Sequence, residues 1–220
     1  MQAAVGETAF PHPLSIARLV FPNNEECTTP PHQDYPNNQG TRALNACWMP
    51  LMDCPTKLGT LAILPGSQNL GLMPLNFSLG AGGRQAVLSE AAQALHWHTS
   101  DFELGDALIF NSMTLHTALP NCSDKQFRLS VDYRFQQEDK ALTEMVLSPH
   151  FDRLSWEEIY SGWKSSALKY YWRHKRYHIA DWDSSIHILP EGHMHEAVRQ
   201  TLIYDQRRKR MRKARDDKHS

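Results

Sequence analysis

Short apolar segments separated by glycine and proline make up most of the first two-thirds of the chain, and this pattern restricts the available folds. Residues 59–64, for example, are almost continuously apolar and end at Pro65-Gly66, a turn signal. Six segments of this kind predict β-strands: residues 14–21, 41–51, 59–64, 102–111, 113–119 and 127–135. Many short strands joined by such turns indicate a sandwich or a barrel, for which a jelly roll is the natural architecture.

The pattern becomes helical after about residue 136. Ser155 and Glu158 form a capping box, and aromatic residues recur at helical spacing as far as Tyr171. A final helix is predicted over residues 191–215. We therefore expect a mainly β protein with C-terminal helices, divided into a β-rich core at 1–136 and a helical section at 137–220 that packs on it. Residues 67–94 read as a long loop or lid, with a weak helix signal at 88–95.

Composition excludes several classes of protein. The net charge of −1 over 220 residues argues against a molecule that binds nucleic acid or membranes through its overall charge. No run reaches the roughly 18 apolar residues of a membrane span, and the four cysteines form no C-x-x-C pair, so we expect a cytoplasmic protein with free thiols. A cationic run at 207–215 could bind nucleic acid, but it reads more simply as a solvated terminus. The oligomeric state cannot be read from the sequence.

His32 and Asp34 lie two residues apart, so in extended backbone both point to the same face and could share one metal ion. His116, on a later predicted strand, is the best candidate for a third ligand. Two histidines and one carboxylate on one face of an octahedron leave three positions open, an arrangement that suits Fe(II). An H-x-D pattern is common by chance, however, and twelve histidines made a downstream partner easy to find. His96 and His98 repeat the spacing without a third ligand nearby, so we interpret them as a surface pair.

Arg128 strengthens the metal-site interpretation. It follows His116 by twelve positions on the next predicted strand, with Ser130 on the same face. A forked guanidinium is suited to a dicarboxylate, and an arginine facing inward without a partner would be costly to bury. The alternative is that Arg128 pairs with a distant carboxylate. Asp132 and Arg134 continue this face and could pair with each other or reach the entrance of the site.

The sequence resembles the phytanoyl-CoA dioxygenase family of Fe(II)/2-oxoglutarate oxygenases from about residue 14 to residue 136. The matching residues are His32-Gln33-Asp34, Trp48, residues 59–67, Gly105-Asp106, His116 and Arg128-Leu129-Ser130. This resemblance implies a double-stranded β-helix, the cupin-like form of the jelly roll.

The resemblance also implies roles for individual residues. His32, Asp34 and His116 would hold Fe(II), and Arg128 with Ser130 would bind the distal carboxylate of 2-oxoglutarate. Trp48 would lie beside this co-substrate, and Thr117 or Thr114 could offer it a hydroxyl. The expected activity is oxidation of a C–H bond of a small organic molecule by O2, with release of succinate and CO2. Because Asp34 retains the carboxylate that related halogenases lack, hydroxylation is favoured over halogenation.

Departures from the family pattern leave alternatives open. Gln68 stands where relatives commonly carry histidine, and Ala118 where some carry a hydroxyl. Relatives also place a substantial helical segment before the H-x-D, whereas about thirty residues precede it here. The chain could therefore be a catalytically silent or truncated jelly-roll protein that binds metal or 2-oxoglutarate. A cupin-like enzyme that uses no 2-oxoglutarate is a third possibility, which Arg128 disfavours.

Overall fold

The computed structural model describes residues 5–25, 28–78, 80–150 and 153–187. Nine strands are present: β1 Ala9–Pro11, β2 Ile16–Val20, β3 Asn45–Pro50, β4 Leu61–Ile63, β5 Leu75–Phe77, β6 Arg84–Ala86, β7 Leu108–Asn111, β8 His116–Ala118 and β9 Arg128–Gln137. Three α-helices lie wholly within the described residues, and each is about one turn long: α1 Tyr35–Asn38, α2 Glu90–Gln93 and α3 Trp156–Tyr160. Four 3₁₀ turns complete the described elements: Thr56–Leu58, Ser67–Leu70, Glu144–Leu147 and Ser184–His187. The fold is thus mainly β with few helices, which is compatible with a jelly roll.

The described strands form three antiparallel sheets: a large sheet of five strands, a small sheet of β4 and β8, and the separate hairpin of β5 and β6. In the large sheet β9 is central, with β3 and then β7 on one side and both β1 and β2 along the other. In the small sheet β4 pairs with β8. A core cluster that includes Trp48, Leu61 and Phe110 joins the large sheet to the small one. The candidate ligand His116 belongs to the small sheet, and Arg128 belongs to the large one.

The six predicted strands correspond in order to β2, β3, β4, β7, β8 and β9, whereas β1, β5 and β6 were not predicted. Five of these six strands are shorter than predicted, and β9 instead continues to Gln137. Residues 67–94 differ from the prediction because they contain the β5–β6 hairpin. The short helix α2 forms where the weak helix signal lies, and Ser89 caps it. Around this segment a second core cluster packs Leu64, Met73 and Leu115 together. The expected irregular loop is therefore partly ordered against the small sheet.

The predicted long helix after Ser155 is wrong in its length. It begins with the expected capping box, in which Ser155 and Glu158 bond to each other's backbone N–H groups. It ends at Tyr160, and the chain continues as turns, because Ser161 and Gly162 are poor helix formers. The aromatic residues beyond it still pack, but they cluster around Phe10 of β1 instead of lying along one helix face.

Several predictions fall outside the described residues, and others stay open. The final helix at 191–215, its cationic run and Cys27 are not described. Cys47, Cys54 and Cys122 are free thiols. Within the described part of the chain, no helix is long and apolar enough to cross a bilayer. The division at residue 136 and the cytoplasmic location stay predictions.

Candidate metal centre

His32 and His116 face each other across an antiparallel bridge at the edge of the small sheet. The backbone N–H of each donates to the carbonyl of the other, at 2.9 and 3.0 Å, and their ring centroids lie 4.1 Å apart. Asp34, two residues after His32, points to the same side, and its backbone N–H donates to the Ser112 carbonyl at 2.9 Å. The structure therefore brings the three predicted ligands together.

Gln33, between the two ligands, faces the opposite way and anchors this segment. Its buried side-chain amide donates to the carbonyls of Gly71 and Met113, at 2.9 and 2.7 Å, and accepts from the Met73 N–H at 2.8 Å. A buried amide with three satisfied hydrogen bonds holds the local backbone rigidly. The hydrogen bonds of Gln33 on one face thus fix the direction in which His32 and Asp34 point on the other.

Both histidines are arranged as neutral metal ligands. The Nδ1 of His32 lies 2.8 Å from the Pro30 carbonyl, and that of His116 lies 3.0 Å from the Thr114 carbonyl. Because a carbonyl can only accept, each Nδ1 carries the proton and each Nε2 keeps its lone pair. Burial lowers the pKa of His32 to about 3, helped by the neighbouring His116, and burial likewise lowers the pKa of His116.

The open Nε2 atoms converge on the Asp34 carboxylate. Each lies 3.8 Å from Asp34 Oδ1, and one donor atom from each of the three side chains lies within 4.8 Å of the other two. Neighbouring ligands about 2 Å from a shared ion are about 3 Å apart, so the side chains need to close by roughly 1 Å. Among the described residues this is the single group of three metal-ligating side chains. The donor set fits Fe(II).

Arg134 pairs with Asp34, a contact that the sequence did not predict. Its Nη2 donates to Asp34 Oδ1 at 2.9 Å, while its Nε lies 2.8 Å from Oδ2 in an ion pair that lacks hydrogen-bond alignment. Burial by itself would raise the pKa of Asp34, but the Arg134 guanidinium, with contributions from His116 and His32 in their protonated forms, lowers that pKa far below its usual range. Asp34 is therefore ionised although it is only 2% exposed.

The inner face of β9 is polar along its whole length. Alternate residues of this strand are buried, and all of them are polar: Arg128, Ser130, Asp132, Arg134 and Gln136. Polar groups normally avoid such positions unless they are paired or serve a site. Arg134 pairs with Asp34, and Asp132 pairs with Arg18 of β2. Of the two alternatives for Asp132 and Arg134, pairing with each other is therefore not observed, and both residues line the pocket of the triad.

Arg128 differs from the other two arginines because it contacts no carboxylate among the described residues. It is 1% exposed, donates to the Gly59 carbonyl, and lies with its guanidinium carbon 5.5 Å from the centre of the Trp48 ring. Burial lowers the pKa of Arg128. Three buried donors around it have no partner: Arg128 Nε, Trp48 Nε1 and Ser130 Oγ. These are the residues expected to meet the co-substrate, and together they form a set of unused hydrogen-bond donors.

Thr117, which was expected to offer a hydroxyl to the co-substrate, lies instead in the lining of a neighbouring cleft. The Thr117 hydroxyl donates to the Thr29 carbonyl at 3.0 Å and faces this cleft. The pocket that holds the triad and the three arginines has room for only about 20 Å³, while the cleft beside it measures about 310 Å³. Thr29 and Ala118 border both spaces. The cleft therefore opens directly next to the metal ligands.

The remaining histidine pair takes no part in this centre. His96 and His98 are both exposed, in agreement with a surface role. The residues that sequence reasoning missed are the partners of the charged groups, Arg134 for Asp34 and Arg18 for Asp132. The alternation along β9 showed that Arg134 shares a face with Arg128, but only the relative position of the two sheets could show which carboxylate it meets.

Solved structures of low sequence identity resemble this chain. ThoJ, a non-heme monooxygenase in its apo form, is 18% identical with a TM-score of 0.50, over 73% of this chain and 66% of that one. The epimerase SnoN from nogalamycin biosynthesis, in complex with Fe3+, alpha ketoglutarate and nogalamycin RO, is 21% identical with a TM-score of 0.49, over 61% and 52%. EvdO2 from Micromonospora carbonacea var. aurantiaca, complexed with 2-oxoglutarate, is 20% identical with a TM-score of 0.46, over 60% and 53%. The chain spans about half the length of SnoN and EvdO2.

The sequence itself matches a known family. No curated protein sequence matches the chain. The model of the phytanoyl-CoA dioxygenase family matches residues 2–130, more than half of the chain, and this match includes all three members of the triad and Arg128. The cofactor and co-substrates supported by this match and by the triad are Fe(II), 2-oxoglutarate and O2. The chain belongs to the phytanoyl-CoA dioxygenase family.

Proposed function

We propose that this protein is an Fe(II)/2-oxoglutarate-dependent oxygenase, built on a double-stranded β-helix, that oxidises a C–H bond of a small organic molecule. His32, Asp34 and His116 would hold the iron. The observation that carries the proposal is the combination of this triad with Arg128, a buried arginine of the same pocket that contacts no carboxylate in the described part of the chain. When bound, Fe(II) and 2-oxoglutarate supply the activation of O2, with release of succinate and CO2.

The charges of the pocket support a dianionic co-substrate. Arg18, Arg128 and Arg134 line it together with two carboxylates, each of which is already paired with an arginine. Arg128 is left to bind the far carboxylate of 2-oxoglutarate through its fork. The hydroxyl of Ser130 and the indole N–H of Trp48 are the further donors available there. A co-substrate bound there would thus accept hydrogen bonds from these buried donors.

Binding of 2-oxoglutarate requires some side-chain movement. A space of about 20 Å³ admits a water or an ion but not a five-carbon diacid. Arg128 is the side chain best able to move, because it gives up one hydrogen bond to Gly59 and contact with an aromatic ring rather than an ion pair. Its role in this proposal is to bind and orient, and the surrounding apolar residues Trp48, Leu61 and Phe110 exclude water.

The neighbouring cleft is the proposed substrate site. Its described lining offers the side chains of Thr28, Thr29, Ser78 and Thr117 and one carboxylate, Glu25, with no cationic residue. The hydroxyl of Thr28 is buried and has no hydrogen-bond partner among the residues that the structure describes. Such a lining suits a neutral or cationic molecule that bears hydroxyl or amine groups better than a polyanion such as an acyl-CoA. The retained Asp34 favours hydroxylation or a related oxidation over halogenation.

Succinate formation tests this function. Purified protein, Fe(II), ascorbate and 2-oxoglutarate are incubated in air with a panel of neutral polyhydroxylated and amine-bearing compounds, and succinate is measured by NMR. We expect succinate above that of an Asp34→Ala control, with the largest increase for a compound that fits the cleft. Binding of Fe(II) and 2-oxoglutarate without succinate from any compound would instead support the catalytically silent alternative.

A further inference from the structure

We propose that Arg134 is a positioning residue, which holds the Asp34 carboxylate so that only Oδ1 is offered to the metal. The inference rests on the proposed function, since it concerns the same centre. Arg134 lies beyond residue 130, where the match to the family model ends. Its role therefore follows from the contacts of this chain alone.

The contact between the two side chains has two points. One is a hydrogen bond from Arg134 Nη2 to Oδ1 at 2.9 Å, and the other is an ion-pair contact of 2.8 Å between Nε and Oδ2 that lacks hydrogen-bond alignment. Because the guanidinium is planar and rigid, a two-point contact sets the plane of the carboxylate, which a point charge such as lysine cannot do. Both side chains are buried, Arg134 being 7% exposed, so water competes little for either group.

In the resulting orientation of the Asp34 carboxylate, the two oxygens face different groups. Oδ1 lies 3.8 Å from Nε2 of both His32 and His116, so it points between the two imidazoles. Oδ2 is turned to the Arg134 Nε. Carboxylates can bind a metal through one oxygen or through both. The ion pair with Arg134 Nε would hold Oδ2 away from the metal, so Asp34 would occupy a single coordination position.

This restriction matters for the proposed co-substrates. Three protein ligands leave three octahedral positions, which a bidentate co-substrate and O2 fill completely. A carboxylate that bound through both oxygens would occupy one of them. The backbone of Arg134 is held firmly, because the residue pairs with Ala46 in the register of β3 and β9 and its carbonyl accepts from the His12 N–H at 2.9 Å. The small Ala46 side chain leaves room on this face for the guanidinium.

Arg18 provides the matched control. It also lines the pocket and also forms an ion pair with a carboxylate of β9, Asp132, but its hydrogen-bond partners among the described residues are Asp132 and Thr29 and not the triad. If metal binding depended only on the charge, or on a buried ion pair near the pocket, replacing either arginine would weaken it. Only the loss of carboxylate orientation is specific to Arg134.

The test is a Co(II) titration of the full chain without 2-oxoglutarate, followed through the visible absorption bands of the bound ion. Arg134→Lys keeps the charge and removes the two-point contact, and Arg134→Gln is the second variant if the first folds poorly by circular dichroism. We expect Arg134→Lys to lower Co(II) affinity about 10- to 100-fold and to change the band pattern, because the coordination of Asp34 changes. Arg18→Lys should keep the affinity and the bands of the wild type.

Wild-type affinity and an unchanged spectrum in both Arg134 variants would overturn the inference while leaving the proposed function intact. A variant whose Co(II) binding is normal but whose 2-oxoglutarate binding is weakened would also overturn it, since Arg134 would then contact the co-substrate. A wild-type protein that binds no Co(II) would overturn the proposed function itself, and the inference with it.

Discussion

Replacing Arg128 with methionine should change the free energy of unfolding by no more than about 1 kcal/mol, whereas Arg134→Met should lower it by about 3–5 kcal/mol. The two arginines lie on the same face of β9 and are both buried, so they differ mainly in their partners. Arg134 neutralises Asp34. Without it, a buried carboxylate would be left uncompensated, and this accounts for the large loss of stability.

For Arg128 the contributions to stability nearly cancel. Methionine gives up a charged hydrogen bond to the Gly59 carbonyl, worth about 1.5–3 kcal/mol, and a contact with the Trp48 ring worth about 0.5–2 kcal/mol. It also removes the desolvation penalty of a buried cation, which is several kcal/mol. No such cancellation applies to the binding of 2-oxoglutarate. Loss of a buried charged partner costs about 2–5 kcal/mol in binding, so the affinity for 2-oxoglutarate should fall roughly 30-fold or more.

Urea unfolding at pH 7, followed by circular dichroism, measures the first effect, and isothermal titration of 2-oxoglutarate into the protein loaded with Co(II) measures the second. Arg128→Met should keep the stability of the wild type and lose the ligand. Equal losses of stability in the two methionine variants would refute this reasoning, because Arg128 would then have a structural partner as strong as that of Arg134. Unchanged affinity for 2-oxoglutarate in Arg128→Met would refute the co-substrate role.

Three further results are expected. Ser130→Ala should not lower the free energy of unfolding, because the buried hydroxyl has no partner among the described residues. It should weaken 2-oxoglutarate binding about 5-fold, the value of one hydrogen bond, and an unchanged dissociation constant would contradict this. Gly59→Ala should lower the urea midpoint by an amount equivalent to about 1–3 kcal/mol or more, because φ is +81° and a Cβ would lie 2.4 Å from the Leu119 carbonyl oxygen; a wild-type midpoint would contradict it. Burial lowers the pKa of His12 from 6.5 to about 4, so this residue binds a proton more readily in the unfolded protein. It should therefore lower the free energy of unfolding by about 2 kcal/mol between pH 7 and pH 5. His12→Asn should reduce the measured loss by that amount, and an equal loss in both proteins would contradict the expectation.

Much of the metal centre could be predicted from the sequence, because its residues are placed by short-range patterns along single strands. The H-x-D alternation places His32 and Asp34 on one face, and the position of Arg128 on a strand places it inward with Ser130. Strand existence also followed from short apolar runs and turn residues. These features depend on periods of two residues and on backbone chemistry, which a single sequence contains.

The remaining features depend on contacts between distant segments. On β9 the alternation runs polar inside and half-buried apolar outside, the reverse of the usual arrangement. Nothing in the strand itself shows that Arg134 meets Asp34, one hundred positions earlier. The helix after Ser155 was predicted too long because aromatic spacing continues through Gly162, where the backbone does not stay helical. Here packing around Phe10, and not helix periodicity, explains the aromatic residues.

The most direct test of the central claim is an anaerobic titration of Fe(II) and 2-oxoglutarate into the purified protein, followed through the weak visible charge-transfer band of the chelate. We expect a band that saturates with one equivalent of each, and that is lost in Asp34→Ala and weakened in Arg128→Met. A folded wild-type protein that gives no band at saturating concentrations of both would contradict the assignment of this pocket to iron and 2-oxoglutarate.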